Sequence, residues 1–138
     1  MGFQLRNRVN IPRVKKEMMD QKEKALGLAL QKVILSLNQR TKAGRDAFGS
    51  PFADYTEGYK KFKAGKGRSI SPPDLTFTGA MLRAIQFSIK RTATAIIGRI
   101  YFQSAKEADK ARGNQEKRPF FGLSAKEQDL IINTVKGR

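Results

Sequence analysis

The stretch Ile85-Gln86-Phe87-Ser88-Ile89-Lys90-Arg91-Thr92-Ala93-Thr94-Ala95-Ile96-Ile97-Gly98-Arg99-Ile100-Tyr101 decides the fold class. Ile85, Phe87 and Ile89 alternate with Gln86, Ser88 and Lys90, the period-two signature of a strand with one buried face. Arg91 to Ala93 turns the chain, and the β-branched run from Thr94 to Tyr101 pairs back as a second strand. Gly98 marks a bulge or a close contact in that strand. The hairpin lies between helical patterns on both sides, which predicts an α+β fold: a long N-terminal helix, an antiparallel hairpin-based sheet, a further helix and a C-terminal helix, with a long basic loop.

Upstream, residues 1–12 mix apolar and basic side chains without helical period and read as an extended N-terminal arm, since Pro12 disfavours helix at Ile11. Residues 13–138 read as one domain. From Arg13 to Asn38, Val14, Met18, Ala25, Leu26, Ala29, Leu30, Val33, Ile34 and Leu37 recur at helical spacings. The N-terminal half of this helix is highly charged, so the half from Ala25 to Leu37 is the part expected to pack on the body. Residues 38–74 are dense in Gly and Pro, with at most a short helix around Ala53 to Phe62. Within them, 58–74 is expected to be a mobile basic loop carrying Lys60, Lys61, Lys63, Lys66 and Arg68. Thr78 is a candidate cap for a helical turn over Ala80 to Ile85, with Leu82 and Ile85 facing inward.

Downstream, Phe102 to Arg112 reads as a helix stopped by Gly113. Then comes Arg118-Pro119-Phe120-Phe121-Gly122-Leu123-Ser124, which reads as strand and turn, followed by a helix over Ala125 to Val135. Ser124 and Glu127 have the spacing of a capping box. Adjacent side chains of an extended segment point to opposite sides. One of Phe120 and Phe121 is therefore expected in the core and the other on a second surface, making Arg118, Phe120 and Phe121 the candidate intersubunit residues.

The chain has 138 residues, and a domain of about 150 residues buries roughly 70% of its unfolded surface, enough for a real core. A 39% hydrophobic fraction and a mean hydropathy of −0.53 are low for a compact monomer, so part of the burial is expected between subunits. With 28 Lys and Arg against 12 Asp and Glu, the formal charge of +16 favours polyanionic partners. The charge is spread over the chain: 16 basic and 6 acidic side chains in residues 1–70, 12 and 6 in residues 71–138. No apolar run approaches the roughly 20 residues of a membrane span, and the first twelve residues carry no signal core.

Cys and His are both absent, which removes thiolates, imidazole bases and the commonest zinc ligands. No carboxylates recur at metal-ligand spacing, and Gly65 and Gly67 beside lysines lack the order of a phosphate-binding loop. No catalytic, cofactor or metal residues are assigned, and the chain is expected not to be an enzyme. One alternative is a small DNA-processing enzyme using scattered acids such as Asp46, Asp54 and Asp74. The other is a nucleic-acid-binding module, with the lysines interleaved with Tyr59 and Phe62 as phosphate contacts. The bland reading of the same tract is a solvated segment ordered by an acidic protein neighbour.

Three blocks resemble the phage virion-morphogenesis family, the tail-completion or head-tail joining proteins of tailed bacteriophages. The first is Gly44-Arg45-Asp46-Ala47-Phe48-Gly49-Ser50-Pro51-Phe52 with Tyr55 and the following lysines. The second is Leu75-Thr76-Phe77-Thr78-Gly79-Ala80-Met81-Leu82-Arg83-Ala84-Ile85, similar to an L-x-x-T-G-x-L-x-x-S-I block before the hairpin. The third is Arg118 to Ser124, similar to R-P-F-L-G-L-S. The resemblance spans about residues 13 to 135, and departs where the family has Y-A-x-x-H-x-x-G and this chain reads Tyr101-Phe102-Gln103-Ser104-Ala105-Lys106. It implies a structural virion protein, assembled in the host cytoplasm, closing into a ring, commonly of six copies, in the neck between the DNA-filled head and the tail. Its implied partners are neighbouring neck or connector proteins, tail-terminator or tail-tube proteins, and passing genomic DNA, with no membrane.

Overall fold

The computed structural model describes the backbone of residues 2–8 and the whole of residues 16–75 and 79–137. In chain order the elements are β1 (Gly2–Arg8), α1 (Lys16–Lys42), α2 (Glu57–Gly65), α3 (Ala80–Arg83), β2 (Ile85–Arg91), β3 (Ala95–Phe102), α4 (Ala105–Gln115) and α5 (Ala125–Lys136). The fold is α+β. The expected helix start at Arg13 and Val14 and the Thr78 cap lie outside the described residues; the residue preceding α3 is Gly79, at φ 82°.

The hairpin forms as its alternation demands, in unbroken antiparallel register from Ile85↔Phe102 to Arg91↔Ile96. Thr92 closes the turn: its N–H donates to the Ala95 carbonyl at 2.8 Å, and its hydroxyl oxygen accepts from the Ala95 N–H at 3.0 Å. The sheet has a third strand. β1 pairs antiparallel with β3 from Gly2↔Tyr101 to Arg8↔Ala95, so the strand order is β1-β3-β2 and residues 2–8 of the expected N-terminal arm form a sheet edge. A central β3 needs donors and acceptors on both sides, and the run Phe3-Gln4-Leu5-Arg6 carries the matching alternation.

One face of this sheet lies on α1. Leu26, Ala29, Leu30, Val33 and Leu37 form the buried stripe and share a core with Ile85, Ile96 and Ile100. Burial of each large side chain contributes about 1.5–3 kcal/mol. Gly98 permits the approach: a Cβ there would stand 2.7 Å from Leu30 Cδ1 and 3.3 Å from Leu26 Cδ2. Gly98 therefore marks a close contact, and the regular pairing leaves no bulge. The charged first turns of α1 are also tied down, by Lys22 Nζ donating to the Val135 carbonyl and by Arg91 reaching Asp20 and Glu23.

Three expectations are corrected. The tract 58–74 is not a single loop, because α2 occupies Glu57–Gly65 with Thr56 as its N-cap. Good helix formers with a cap overcame the low complexity of the lysine run. Gly113 does not stop α4, which continues to Gln115. A lone glycine costs an exposed helix only about 1 kcal/mol, and Ala108 and Ala111 hold this one to the core.

The third correction concerns Arg118 to Ser124, which is not a strand. The Phe120 N–H donates to the Arg118 carbonyl at 2.7 Å, a three-residue turn about Pro119 that destroys strand alternation. Phe120 and Phe121 consequently enter the same interior, 0% and 7% exposed. Their ring centroids lie 6.4 and 4.8 Å from that of Phe102. The side-chain amide of Gln115 fixes the bend, accepting from Phe121 N–H and donating to its carbonyl.

The capping box at Ser124 and Glu127 forms in full. Glu127 also has a second task. Arg40 donates to both of its carboxylate oxygens and to the carbonyls of Phe120 and Gly122, while the Ser36 hydroxyl donates to Glu127 Oε2. Burial alone would raise the Glu127 pKa. The Arg40 hydrogen bond, the Ser124 N–H, the Arg40 charge and Ser36 outweigh it, holding the carboxyl below its ordinary value.

Candidate interaction groove

Spacing along α2 and the turn before it gathers three aromatic rings. Tyr55 and Tyr59 meet edge to face at 4.8 Å between centroids, and Tyr59 and Phe62 follow at 6.3 Å. Tyr55 is the buried anchor, its hydroxyl oxygen accepting from the Leu75 N–H at 3.0 Å. Lys63 Nζ stands 4.9 Å from the Tyr55 ring centroid, and the Arg118 guanidinium carbon 4.8 Å. Tyr59 and Phe62 remain 38% and 53% exposed.

These rings form one side of an open groove of about 630 Å³. Leu75 and Met81, both buried, form its base, while α4 supplies Lys110 and Asn114, and the turn after it Lys117, to the opposite rim. Gly113 leaves that rim open, since a Cβ there would meet nothing within 4 Å. Lys110, Lys117 and Arg118 are the lining cations, and no Asp or Glu lines the groove among the described residues.

The expected contact lysines are divided by this arrangement. Lys63 is buried, with Nζ 3.1 Å from Asp74 Oδ1, so its ammonium is an internal strut. Lys60 pairs with Asp54 at 2.6 Å and, more weakly, with Glu57 at 3.5 Å. That pairing raises the Lys60 pKa and lowers that of Asp54, the hydrogen bond between them outweighing the opposing effect of desolvation. Lys61 and Lys66 are exposed, and Lys66 Nζ lies 6.0 Å over the Phe62 ring. Arg68 follows the end of α2, its N–H donating to the Lys63 carbonyl. None of the five lines the groove itself.

The expected interface set is corrected in the same way. Arg118 is 9% exposed, and its guanidinium donates to the carbonyls of Ala53 and Asp54 at 2.7 and 2.8 Å. It joins the chain before α2 to the Pro119 turn within one protomer. Phe120 and Phe121 are core.

A more exposed aromatic is Phe48, 83% exposed at the tip of the loop between α1 and α2. That tip is built around Asp46, whose Oδ1 accepts from the Phe48 and Ser50 N–H groups at 2.8 and 2.9 Å. The Ala47 N–H donates to the Pro119 carbonyl, fixing the loop to the turn below it. Asp46, Asp54 and Asp74 thus serve three separate local contacts: a loop, Lys60 and Lys63. Among the described residues no group of three or more His, Cys, Asp or Glu side chains is placed to hold a metal ion. Nor, among them, is any helix long and apolar enough to cross a membrane.

Sequence reasoning missed Lys110, Lys117 and Met81, because nothing in their spacing links them to Tyr55 and Phe62. Comparison with protein-family models, curated proteins and solved structures finds no match for this chain. Fold and groove together define a small basic α+β protein with an open groove lined by aromatic and cationic side chains.

Proposed function

We propose that this chain is a structural virion protein of a tailed bacteriophage, a tail-completion or head-tail joining component that closes into a ring in the neck. The observation that carries the reading is the meeting of two of the three family-like blocks on one core. Met81, Leu82 and Ile85 from the second block pack in a common cluster with Phe120 and Phe121 from the third, around Phe102 of the hairpin. The blocks are distant in sequence, and their joint packing is what a shared fold requires of them.

Side-to-side ring contacts need exposed apolar groups on rigid elements. Phe48 on its ordered loop, and Leu28 and Leu35 one heptad apart on α1, are 83%, 48% and 59% exposed. These residues replace Phe120 and Phe121 as the surface offered to neighbouring copies, commonly six in all. A net charge of +16 suits a ring through which genomic DNA passes. In this reading no bond is broken: each ring presents a surface to the next neck, tail-terminator or tail-tube protein.

The test is infection without the protein. Filled heads and separate tails should accumulate, and a labelled copy should mark the neck in particle images. Joined, infectious particles forming at normal yield would refute the proposal. The alternative, a free nucleic-acid-binding module, rests on the net charge and on exposed Lys61, Lys66 and Lys117. Tight, salt-dependent binding of short duplexes by the isolated monomer would favour it.

A further inference from the structure

We infer that the groove between α2 and α4 is a receptor for an acidic linear peptide segment of a partner protein, anchored by an apolar side chain. Charge complementarity identifies the occupant. Three cations line the groove without a lining carboxylate, over a base of Leu75 and Met81. Lys117 has no acidic partner among the described residues. Lys110 does pair with Glu107 at 3.1 Å but remains half exposed.

An occupant that complements both features carries carboxylates at the α4 rim and an apolar side chain at the base. A thioether beside aliphatic and aromatic walls adapts to such an anchor. The groove's volume matches the range in which short segments and small ligands are held.

A peptide fits better than single-stranded nucleic acid, for which aromatic faces must be free to stack on bases. Here the Tyr55 ring is already occupied by Lys63 and Arg118. Tyr59 packs against Tyr55, and Lys66 stands over Phe62. The base offers side chains that receive an aliphatic or aromatic anchor.

The inference does not depend on the neck reading. The groove's binding is measured on isolated protein, whereas the neck reading stands or falls on infection, so either can fail alone.

The experiment is selection of a displayed library of random twelve-residue peptides on the whole protein, followed by anisotropy with a labelled consensus peptide. Selected peptides should combine several Asp or Glu residues with one or two large apolar residues. Gly113→Leu is the blocking variant: the position is helical with open space around it, so leucine favours the helix while filling the groove. It should weaken binding about ten-fold or more with the fold intact by circular dichroism.

Lys117→Glu should weaken binding about five-fold. Lys126→Glu, the same charge change at an exposed position on α5, should leave it unchanged. The inference is overturned if no peptide family is selected, or if the selected peptides lack acidic excess. It is equally overturned if Gly113→Leu binds like the parent, or if the two charge reversals act alike. Stronger binding of a labelled twelve-nucleotide oligothymidylate, abolished by Gly113→Leu, would also overturn it and assign the groove to nucleic acid.

Discussion

Replacing Arg40 by alanine removes the connection between α1, α5 and the Phe120–Gly122 turn, and the cost follows from what the guanidinium holds. It donates to Glu127 Oε2 at 2.9 Å and Oε1 at 3.1 Å, and to the Phe120 and Gly122 carbonyls at 2.9 and 2.8 Å. Glu127 is 1% exposed and Arg40 13%, so water cannot simply replace the lost partner. Breaking a buried ion pair from one side costs about 3–5 kcal/mol. Ser36 and the Ser124 N–H still satisfy part of the carboxylate, which places this case at the lower end, about 3 kcal/mol.

For a chain of this size that loss lowers Tm by about 10 °C. Urea unfolding of parent and Arg40→Ala, followed by far-ultraviolet circular dichroism, measures it. The pH dependence gives an independent check. The Glu127 pKa is lowered in the folded parent, so its stabilisation is fully present above the unfolded value of about 4.5 and is lost as pH falls through the lower folded value. Without Arg40, burial remains and the main opposing partner is gone, so the folded pKa rises. The stability gap between the two proteins should therefore narrow below about pH 4.5. A gap under about 1 kcal/mol at neutral pH, or one constant down to about pH 3.5, would refute the reasoning.

Gly98→Val should lower stability by about 2 kcal/mol in thermal unfolding, because its side chain meets the buried Leu30 and Leu26 methyls. Phe120→Ala should cost about 3–5 kcal/mol as a core truncation in chemical denaturation; a stable variant defective only in association would restore an interface role. Lys63→Ala should cost about 2 kcal/mol by loss of the buried Asp74 pair, whereas Lys61→Ala should stay within about 0.5 kcal/mol, both read from Tm. If the proposed ring forms, Phe48→Ala should leave Tm nearly unchanged but reduce the mass measured by light scattering, and an unchanged mass would remove Phe48 from the proposed ring contact.

Legibility differed between elements for identifiable reasons. The β2–β3 hairpin, α1 and the Ser124 cap of α5 were readable because each depends on local periodicity or on two residues at fixed spacing. The strand β1 carried its alternation, but its partner β3 is distant in sequence, so without that partner it could not be distinguished from an arm. In α2, three lysines and two glycines hid the extent of a helix that the sequence places only around Ala53 to Phe62, and its Tyr59, Phe62 and Lys63 face is explained only by Tyr55, Asp74 and Arg118. The groove was legible only in part: Tyr59 and Phe62 stood out, but Lys110 and Lys117 belong to it through folding alone.

By itself the sequence determined the α+β class, the hairpin, the long amphipathic helix, the capped C-terminal helix and the strong positive charge, since period, propensity and composition are local properties. Tertiary structure decided where the unusual side chains go. A turn about Pro119 sends both phenylalanines inward, Asp74 draws one lysine of a basic run into the interior, and Arg40 finds a carboxylate on the last helix. Each outcome depends on which distant groups meet out of water, where partnering decides the free energy and where sequence spacing carries no information.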